Sequence, residues 1–336
     1  MYGHAIDGKR ILITGGTGSF GHQMLIELLK YNPERVTIFS RDEDKQHNMR
    51  QEFTDGRVSF RIGDVRDYER LVEVTRNIDV IFHAAALKQV PYTEFHPQEA
   101  VKTNILGAYN VLRAAITNSV PKIVAISTDK AVKPVNAMGM SKALQEKILT
   151  ATAGPHDGTV VSVVRYGNVL GSRGSVVPYF KAKLQNGQPL PVTHPEMTRF
   201  LLTLPQAVEL VLYAVSNARG GETFVRKAPA CKIIDLAQVM SRAITGRSDW
   251  PINIVGVRPG EKLHEVLVSE EERWRTVDEG NFFVIRPQRE FFDPDRMSTF
   301  DPAKYPSPLK EEYTSANTDR LDNQSILELL KSTNWV

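Results

Sequence analysis

The chain has 336 residues, of which 41% are hydrophobic and 24% charged, the ordinary balance of a globular protein that buries a sizeable core. Its formal net charge of +3 comes from 42 basic and 39 acidic residues mixed along the chain, so no basic arm indicates a nucleic-acid partner. The single cysteine, Cys231, excludes an intramolecular disulfide framework and a cysteine-rich zinc site, fits a reducing compartment, and is consistent with our expectation of no metal ion.

The predicted elements start after an N-terminal segment, 1–7, that lacks the basic and apolar pattern of a secretory signal. Further along, polar residues interrupt every apolar stretch before it reaches membrane-spanning length. We therefore expect a cytoplasmic protein with no membrane partner.

Short apolar runs alternate with helix-length segments through the first half of the chain. A segment with helical patterning, 23–29, lies between the first two runs, and this order predicts a Rossmann-type doubly wound parallel sheet of the α/β class. The runs that predict buried parallel strands are 10–14, 35–40, 58–62, 80–84, 122–127 and 159–165.

The pattern changes beyond about residue 170, where glycine and proline become frequent and the predicted elements become shorter. We expect a dinucleotide-binding domain at 1–169, a smaller substrate-binding lobe that makes up most of 170–290, and a C-terminal tail at 291–336. Residues 204–212 predict a capped helix, and a segment near 200–220 is expected to return to the first domain.

A glycine-rich loop follows the first predicted strand directly and opens the first helix. Glycines permit a tight turn and a close backbone approach, while the helix N-terminus offers N–H donors to a pyrophosphate. A plain strand-to-helix turn is the alternative, but the strand and helix on either side favour dinucleotide binding. The residues predicted to contact the dinucleotide here are Gly15, Thr17, Gly18, Ser19, Phe20 and Gly21.

The end of the second predicted strand carries Ser40 and Arg41 where an NAD site usually has an acidic residue. A guanidinium and a hydroxyl favour a ribose 2′-phosphate, so NADP is the expected cofactor. The alternative is that Arg41 pairs with a nearby aspartate on a solvated loop. After the third strand, Asp64 and Val65 are expected near the adenine, although Asp64 equally suits a helix cap.

Five spaced motifs together resemble one family, the configuration-inverting UDP-N-acetylglucosamine 4,6-dehydratases. The resemblance is to the dehydratase/5-epimerases of the UDP-N-acetyl-L-fucosamine pathway, which are extended short-chain dehydrogenases/reductases, and it runs from about residue 8 to 313–318. The motifs lie at 14–21, 83–88, 127–130, 165–169 and 258–262. The second of them implies that Ala84, Ala85 and Ala86 line the cofactor.

One position departs from the wider superfamily, which uses Tyr-x-x-x-Lys. Here Met138 stands four residues before Lys142, and a thioether has no proton to exchange. The change alone would indicate an inactive reductase or a structural NADP-binding protein. The dehydratase/5-epimerases resemble this chain in carrying Met at that position, so the departure favours that branch.

Asp129 and Lys130 stand together at the end of a predicted strand, where an acid and a base would meet the substrate. The resemblance implies that Lys130 removes the proton from sugar carbon 5 and that Asp129 protonates the departing hydroxyl. These roles require a neutral Lys130 and a protonated Asp129, which we expect burial to favour. Lys142 should bind the nicotinamide ribose. The sugar 4-hydroxyl proton leaves through Thr128, Lys130, Lys142 or water.

The resemblance also implies a UDP-sugar as substrate and partner. Arg199 and Arg258 are expected to clamp its diphosphate. The remaining substrate contacts are expected from Lys88, Asn168, Ser175, Thr193 and Glu261.

The product expected from the resemblance is a UDP-2-acetamido-2,6-dideoxy-L-hexos-4-ulose for bacterial capsule or O-antigen synthesis. NADP would stay tightly bound and be regenerated in each turnover, and the enzyme would be both a lyase and an isomerase. A homo-oligomer, specifically a hexamer, is implied. A nucleotide-sugar 4-epimerase or 4-reductase and a non-catalytic NADP-binding regulatory protein remain the alternatives.

Overall fold

The computed structural model describes residues 2–152, 158–172, 174–290 and 306–336. The first part of the predicted tail, 291–305, therefore lies outside the described residues. In the described ranges, no helix is both long enough and apolar enough to cross a membrane.

The strands and helices can be given in chain order. The strands are β1 Arg10–Thr14, β2 Arg35–Ser40, β3 Val58–Ile62, β4 Val80–His83, β5 Lys122–Ile126, β6 Val160–Arg165, β7 Asn168–Val169, β8 Leu190–Val192, β9 Thr198–Leu202, β10 Thr223–Arg226, β11 Ala230–Lys232, β12 Ile252–Ile254, β13 Val266–Val268, β14 Thr276–Glu279, β15 Phe282–Ile285 and β16 Tyr313–Thr314. The α-helices are α1 Gly3–Ile6, α2 Ser19–Leu28, α3 Glu43–Glu52, α4 Tyr68–Val74, α5 Val90–Phe95, α6 Pro97–Ala100, α7 Gly107–Thr117, α8 Ala137–Thr152, α9 Val176–Gln185, α10 Leu204–Asn217, α11 Ile233–Thr245 and α12 Asn323–Ser332.

The central sheet has the order β14-β15-β10-β6-β5-β4-β1-β2-β3. Its strands from β10 to β3 run parallel, and β15 and β14 add an antiparallel edge. The order 3-2-1-4-5-6 is that of a doubly wound dinucleotide-binding sheet. The predicted α/β class and its parallel strands are confirmed.

Burial on both faces explains why the central strands are almost continuously apolar. In β1, Ile11 and Ile13 pack with Met24 of α2 on one face, while Leu12 packs with Leu71 of α4 on the other. The three β1 side chains have no exposed surface. Helices therefore cover both faces, and the site must lie at the strand ends.

The second half of the chain builds smaller sheets and also contributes to the central one. The sheets β11-β9-β7, β12-β8 and β13-β16 lie outside the central sheet. Helices α9, α11 and α12 surround a separate apolar cluster that includes Phe180, Met240 and Ile326. Because β10, β14 and β15 join the central sheet, parts of 170–290 belong to it structurally, and the proposed three-part division stays a prediction.

The helix predicted at 204–212 is confirmed as α10, Leu204–Asn217. Thr203 accepts from the backbone N–H of Gln206, whose side chain accepts from the Thr203 N–H, so the helix begins in a capping box. Val208 and Val211 of α10 are buried in the same cluster as α2.

Candidate functional site

The glycine-rich loop connects β1 to α2, and its glycines serve different purposes. Gly15 has φ +67°, and a Cβ added there would lie 2.7 Å from the Ala85 nitrogen. A Cβ at Gly21 would lie 2.4 Å from the Gly16 carbonyl oxygen. The chain path therefore requires both residues to be glycine, independently of any ligand.

Gly18 differs because a Cβ there would approach only the Gly15 carbonyl oxygen, at 3.2 Å. Gly18 is the N-cap of α2, with an ordinary φ of −76° and no side-chain cap. Ser19 and Phe20 form the first turn of α2. The absence of a side chain at Gly18 and the uncapped N–H groups of α2 fit the close approach of a dinucleotide pyrophosphate.

We expect Gly18→Val to weaken dinucleotide binding at least about tenfold, or about 1.4 kcal/mol, because the side chain would occupy the pyrophosphate's approach while the backbone angles suit valine. Fluorescence titration with NADPH measures this change. Gly15→Val is the comparison variant, and it should instead lower the melting temperature. Unchanged NADPH affinity in Gly18→Val would contradict the assignment of the loop.

The end of β2 is organised around Ser40. Its hydroxyl accepts from Thr17 at 3.1 Å, and Gln46 donates to its carbonyl oxygen at 2.8 Å. Gln46, which was not among the predicted site residues, is 2% exposed although it lies in the strongly polar helix α3. Its lack of charge is the one feature of the sequence that is compatible with this burial. Arg41 is half exposed, with its guanidinium 3.4 Å from Asp64, and can turn toward a phosphate.

Asp64 is held by Arg66, which donates to its carboxylate from the backbone and from the guanidinium, the latter at 2.7 Å. Burial raises the pKa of Asp64, but the Arg66 hydrogen bonds lower it by more. Helix α4 is capped by Asp67, not by Asp64. The Val65 side chain is buried in the core. The predicted adenine contacts of Asp64 and Val65 stay predictions.

The acid–base pair lies in a 3₁₀ turn, Asp129–Ala131, immediately beyond β5. Thr128 donates to Asp129 Oδ1 at 2.8 Å, and Lys130 Nζ donates to the same oxygen at 3.0 Å. Asp129 has no exposed surface, and its Oδ2 has no hydrogen-bond partner in the described part of the chain. Buried carboxylate oxygens ordinarily have partners, so Oδ2 is an acceptor whose partner the described part of the chain does not supply.

Glu265 is a charged partner of Lys130 that sequence reasoning missed. It is 2% exposed, and its carboxylate lies 3.4 Å from Lys130 and 3.8 Å from Arg199. Lys262 contacts its other oxygen at 3.0 Å. Burial raises the pKa of Glu265, but these three cations lower it by more, to about 2. Its only sequence signal is its place three residues beyond Lys262.

The protonation of Lys130 differs from what was expected. Burial lowers its pKa, but the carboxylates of Asp129 and Glu265 raise it by more, so its pKa lies above the ordinary lysine value. The contacts of Lys130 therefore do not give the partly neutral amine that we expected from burial beside the nicotinamide, because the two carboxylates outweigh burial. Lys130 is ready to hold a proton, and it can act as a base only after its charged surroundings change.

The motif at 258–262 supports the turn that carries the pair. Lys262 donates to the carbonyl oxygens of Val132 at 2.8 Å and Asp129 at 3.2 Å. Asn136 donates to the Gly260 carbonyl oxygen at 2.7 Å. The Lys262 side chain from the second half of the chain therefore holds the 3₁₀ turn, and the Gly260 carbonyl holds Asn136 just beyond it.

We expect Glu265→Gln to lower the free energy of unfolding by about 3–5 kcal/mol at pH 7, because three buried or partly buried cations lose their carboxylate. A carboxylate with a pKa of about 2 stabilises the folded chain above its unfolded pKa, and this contribution is lost as the pH falls toward 2. Urea unfolding at several pH values measures both effects.

Glu196→Gln is the control for this prediction, since Glu196 makes an exposed ion pair with Lys232. The difference in the free energy of unfolding between wild type and Glu265→Gln should become smaller as the pH drops below about 4.5. A constant difference from pH 7 to pH 3 would show that the Glu265 charge contributes nothing.

Lys142 lies on α8, one turn after Met138, and both are buried. Its Nζ donates to the Ile126 carbonyl oxygen at 2.5 Å and to Gln145 at 2.7 Å, and burial lowers its pKa to about 8. His83 is buried at the end of β4, bonded to Thr14 at 2.8 Å. Burial and the Lys142 charge lower the pKa of His83 to about 3, so its ring is neutral.

The two arginines that are predicted to bind the diphosphate have different surroundings. Arg199 is buried on β9, where one guanidinium nitrogen donates to the carbonyl oxygens of Thr198 at 2.7 Å and Leu263 at 3.2 Å. Arg258 is half exposed and lies 3.8 Å from Glu261. Arg199 therefore belongs to the Lys130–Glu265 network, whereas Arg258 can still turn toward an anion.

The other predicted substrate residues present buried polar atoms. Asn168 Oδ1, Ser175 Oγ and Glu261 Oε2 are buried and make no hydrogen bond within the described ranges. Such atoms fit a polar ligand. Thr193 follows β8 and is half buried, and Lys88 is exposed in the loop after β4. The contacts described above do not connect these residues directly to the acid–base pair.

The dinucleotide loop, Asp129, Lys130 and Lys142 all lie at the carboxyl ends of parallel strands or on helices beside them, as is usual for ligand sites in such sheets. The family described as polysaccharide biosynthesis protein matches residues 11–287. Relatives named UDP-glucose 4-epimerase from Rickettsia bellii strain OSU 85-389 and Rickettsia prowazekii are 46% and 44% identical, over 98% of this chain and 97% of theirs.

Two solved structures are similar to this chain at different levels. Pen from Bacillus thuringiensis is 34% identical with a TM-score of 0.87, over 98% of this chain and 99% of that one. DesIV, a dTDP-glucose 4,6-dehydratase from Streptomyces venezuelae solved with NAD, is 23% identical with a TM-score of 0.70, over 76% and 86%, and supports the fold alone. The chain belongs to the polysaccharide biosynthesis protein family of extended short-chain dehydrogenases/reductases.

Proposed function

We propose that this protein is an NADP-dependent UDP-N-acetylglucosamine 4,6-dehydratase with 5-epimerase activity. The observation that supports it most is the buried Asp129 beside the partly buried Lys130 beyond β5, combined with Met138 one turn before Lys142. An elimination requires an acid and a base on adjacent sugar carbons. Simple hydride exchange at carbon 4 requires neither of these two groups.

The residues present fit a nicotinamide dinucleotide. Gly18 places no side chain at the start of α2, and the buried Lys142 of α8 donates to the Ile126 carbonyl oxygen at the end of β5. A bound dinucleotide would supply the hydride acceptor for sugar carbon 4 and, once reduced, the hydride donor for carbon 6. Lys142 would hydrogen-bond the nicotinamide ribose, and its positive charge would favour the hydride acceptor's reduced form electrostatically.

Thr128 offers a route for the proton of the sugar 4-hydroxyl. Its Oγ1 donates to Asp129 Oδ1 at 2.8 Å, so it can receive the sugar proton while passing its own to Asp129. Loss of the Asp129 negative charge removes one of the two carboxylates that raise the pKa of Lys130. Protonation of Asp129 therefore also favours deprotonation of Lys130.

The elimination then balances with these two groups. Once Asp129 is neutral, Lys130 releases its ammonium proton to solvent and, as the free amine, takes the carbon 5 proton, which the carbon 4 ketone has made acidic. Asp129 gives its proton to the carbon 6 hydroxyl, and that group leaves as water. Lys130 returns a proton to carbon 5 as carbon 6 receives the hydride, giving a 4-keto-6-deoxy sugar. Epimerisation requires a second exchange at carbon 5, with protonation on the opposite face.

A nucleotide-sugar 4-epimerase is the second candidate, favoured by the name of the Rickettsia relatives. Incubation with UDP-N-acetylglucosamine in deuterated water, followed by NMR, separates the two. Dehydration with 5-epimerisation gives a 4-keto-6-deoxy product with deuterium at carbon 5 and inverted configuration. No dehydration of UDP-N-acetylglucosamine, together with conversion of UDP-glucose to UDP-galactose in a parallel incubation, would overturn the proposal.

The choice of NADP rests on Arg41. We expect Arg41→Ala to weaken NADP binding by about ten- to a hundredfold, the value of a charge-assisted hydrogen bond, and to leave NAD binding nearly unchanged. Lys45→Ala is the control, an exposed lysine at the start of α3 that pairs with Asp42. Calorimetric titration with both dinucleotides measures the ratio. Equal losses for NADP and NAD would refute a 2′-phosphate contact.

The proposed product, a UDP-2-acetamido-2,6-dideoxy-L-hexos-4-ulose, suits the synthesis of a capsule or O-antigen, and the family description supports a role in polysaccharide synthesis. The proposal includes a cytoplasmic location and a homo-oligomer, specifically a hexamer. Light scattering of the purified chain measures its oligomeric state directly.

A further inference from the structure

A cavity of about 310 Å³ begins at the amino ends of β1 and β2 and runs along one face of β2 and β3. Arg10 and Arg35, which line it, are the first residues of β1 and β2. Gly15 and Ser40 lie at the other ends of these strands. The cavity wall extends along β3 to Arg61, which is paired with Phe39, one residue before Ser40. None of the glycine-rich loop 15–21 lines the cavity, so it is distinct from the proposed pyrophosphate contacts.

The cavity wall is strongly positive. It lies between β1–β3 and the turn that follows α4, and Glu73 is the only carboxylate among its lining residues. The lining residues with guanidinium groups are Arg10, Arg35, Arg61, Arg70 and Arg76. Neighbouring guanidinium groups repel each other unless an anion lies between them. A concentration of arginine around one cavity therefore indicates an anionic ligand.

Local carboxylates neutralise only part of this charge. Arg10 lies 3.5 Å from Asp79, and Arg70 pairs with Glu73 at 2.7 Å. By contrast, Arg35, Arg61 and Arg76 make no ion pair with any carboxylate in the described ranges. These three guanidinium groups leave the cavity with positive charge that the protein itself does not offset.

The cavity also contains neutral hydrogen-bond donors. Thr37 and Ser59 are opposite each other on β2 and β3, and their hydroxyl oxygens lie 2.9 Å apart. One hydroxyl proton serves this bond, so the other is available to a ligand. Alternation along the strands places Thr37 on the same face as Arg35, and Ser59 on the same face as Arg61. Donors and charges therefore point toward one volume.

We infer that this cavity binds a small molecule with linked phosphate groups. Guanidinium forks match the oxygens of phosphate groups and bind them bidentately. Several linked phosphates provide enough negative charge to engage the three unpaired arginines at once. The volume is at the lower end of the range for small-molecule sites, which suits a polyphosphate group or a compact nucleotide.

Calorimetric titration with tripolyphosphate, on protein saturated with NADP and at constant ionic strength, tests the inference. Wild type should bind tripolyphosphate at least about tenfold more tightly than sulfate, and Arg35→Gln/Arg76→Gln should weaken binding at least about tenfold. Arg242→Gln, which changes an exposed arginine on α11, should bind as wild type does. Gly18→Val should also keep tripolyphosphate binding, which separates this cavity from the dinucleotide loop.

Three results would overturn the inference: no binding at millimolar tripolyphosphate, equal affinity for tripolyphosphate and sulfate, or unchanged affinity in Arg35→Gln/Arg76→Gln. The measurement needs no turnover. A chain that proves not to be a dehydratase can therefore still have this site, and the reverse also holds.

Discussion

Replacing Lys130 by alanine is expected to lower turnover of UDP-N-acetylglucosamine about a thousandfold, within the range for loss of a general base, while NADP binding survives. The amine is 3.0 Å from Asp129 and belongs to the turn beyond β5. No other amine contacts that carboxylate within the described residues. Deuterium incorporation at carbon 5, followed by NMR, measures the proposed proton transfer directly.

Lys130→Arg separates the role of the base from the role of the charge. Arginine keeps a cation beside Asp129 and Glu265, but it does not lose its proton at accessible pH. If Lys130 is the base, both variants lose turnover equally. If only the positive charge matters, Lys130→Arg stays active, and the proposed proton transfer is wrong.

Lys133→Ala provides the matched control, because Lys133 is an exposed lysine three residues further on that pairs with Glu312. Its turnover should equal that of wild type. The pH dependence gives an independent check. Because the pKa of Lys130 is raised, the fraction of free amine and hence turnover should increase with pH above 7. A flat profile from pH 7 to pH 9 would contradict a lysine base.

The strands and the glycine-rich loop were predictable because their signals are local. A buried parallel strand appears as a run of apolar residues, and β1, β2 and β3 have the predicted bounds of 10–14, 35–40 and 58–62. The loop is similar, since Gly15 is required by a positive φ and a neighbouring backbone. Such constraints act on a few consecutive residues and therefore leave a pattern in the sequence.

The surroundings of Lys130 were not predictable, because they depend on contacts between distant residues. Lys262 donates to the Asp129 carbonyl oxygen across 133 residues of chain. Glu265 reverses the expected direction of the Lys130 pKa shift, yet in the sequence it is one acidic residue among many. Arg199 was expected to clamp a diphosphate, which stays a prediction, but its hydrogen bonds to two carbonyl oxygens beside the network could not be predicted from the sequence. The residue types gave the charges of these side chains, but they did not show which side chains contact each other.

Replacing Arg165 by methionine is expected to lower the free energy of unfolding by about 3–5 kcal/mol, the cost of leaving buried carboxylates without their counter-charge. Arg165, at the end of β6, is 5% exposed. Its guanidinium donates to Glu146 at 2.5 Å and to Glu272 at 2.7 Å, and the latter is 107 residues away. Urea unfolding measures the loss.

The pH dependence of this loss has a defined sign. Burial raises the pKa of Glu272, but Arg165 lowers it by more, to about 2. Glu272 therefore stabilises the wild type above its unfolded pKa, and this contribution is lost as the pH falls toward 2. The difference in the free energy of unfolding between wild type and Arg165→Met should be largest at pH 7 and should become smaller below about pH 4.5.

A compensating variant distinguishes stranded charge from lost packing. Arg165→Met/Glu146→Leu/Glu272→Leu removes all three charges and should recover most of the stability, because replacing a complete buried ion network costs less than breaking it. Arg247→Met, which removes an exposed pair with Asp249, should unfold as wild type does.

Because Glu146 follows Lys142 by one turn of α8, breaking the network should also displace Lys142 and weaken NADP binding. If the triple variant is no more stable than Arg165→Met, packing around the guanidinium, and not its charge, holds α8 against the sheet.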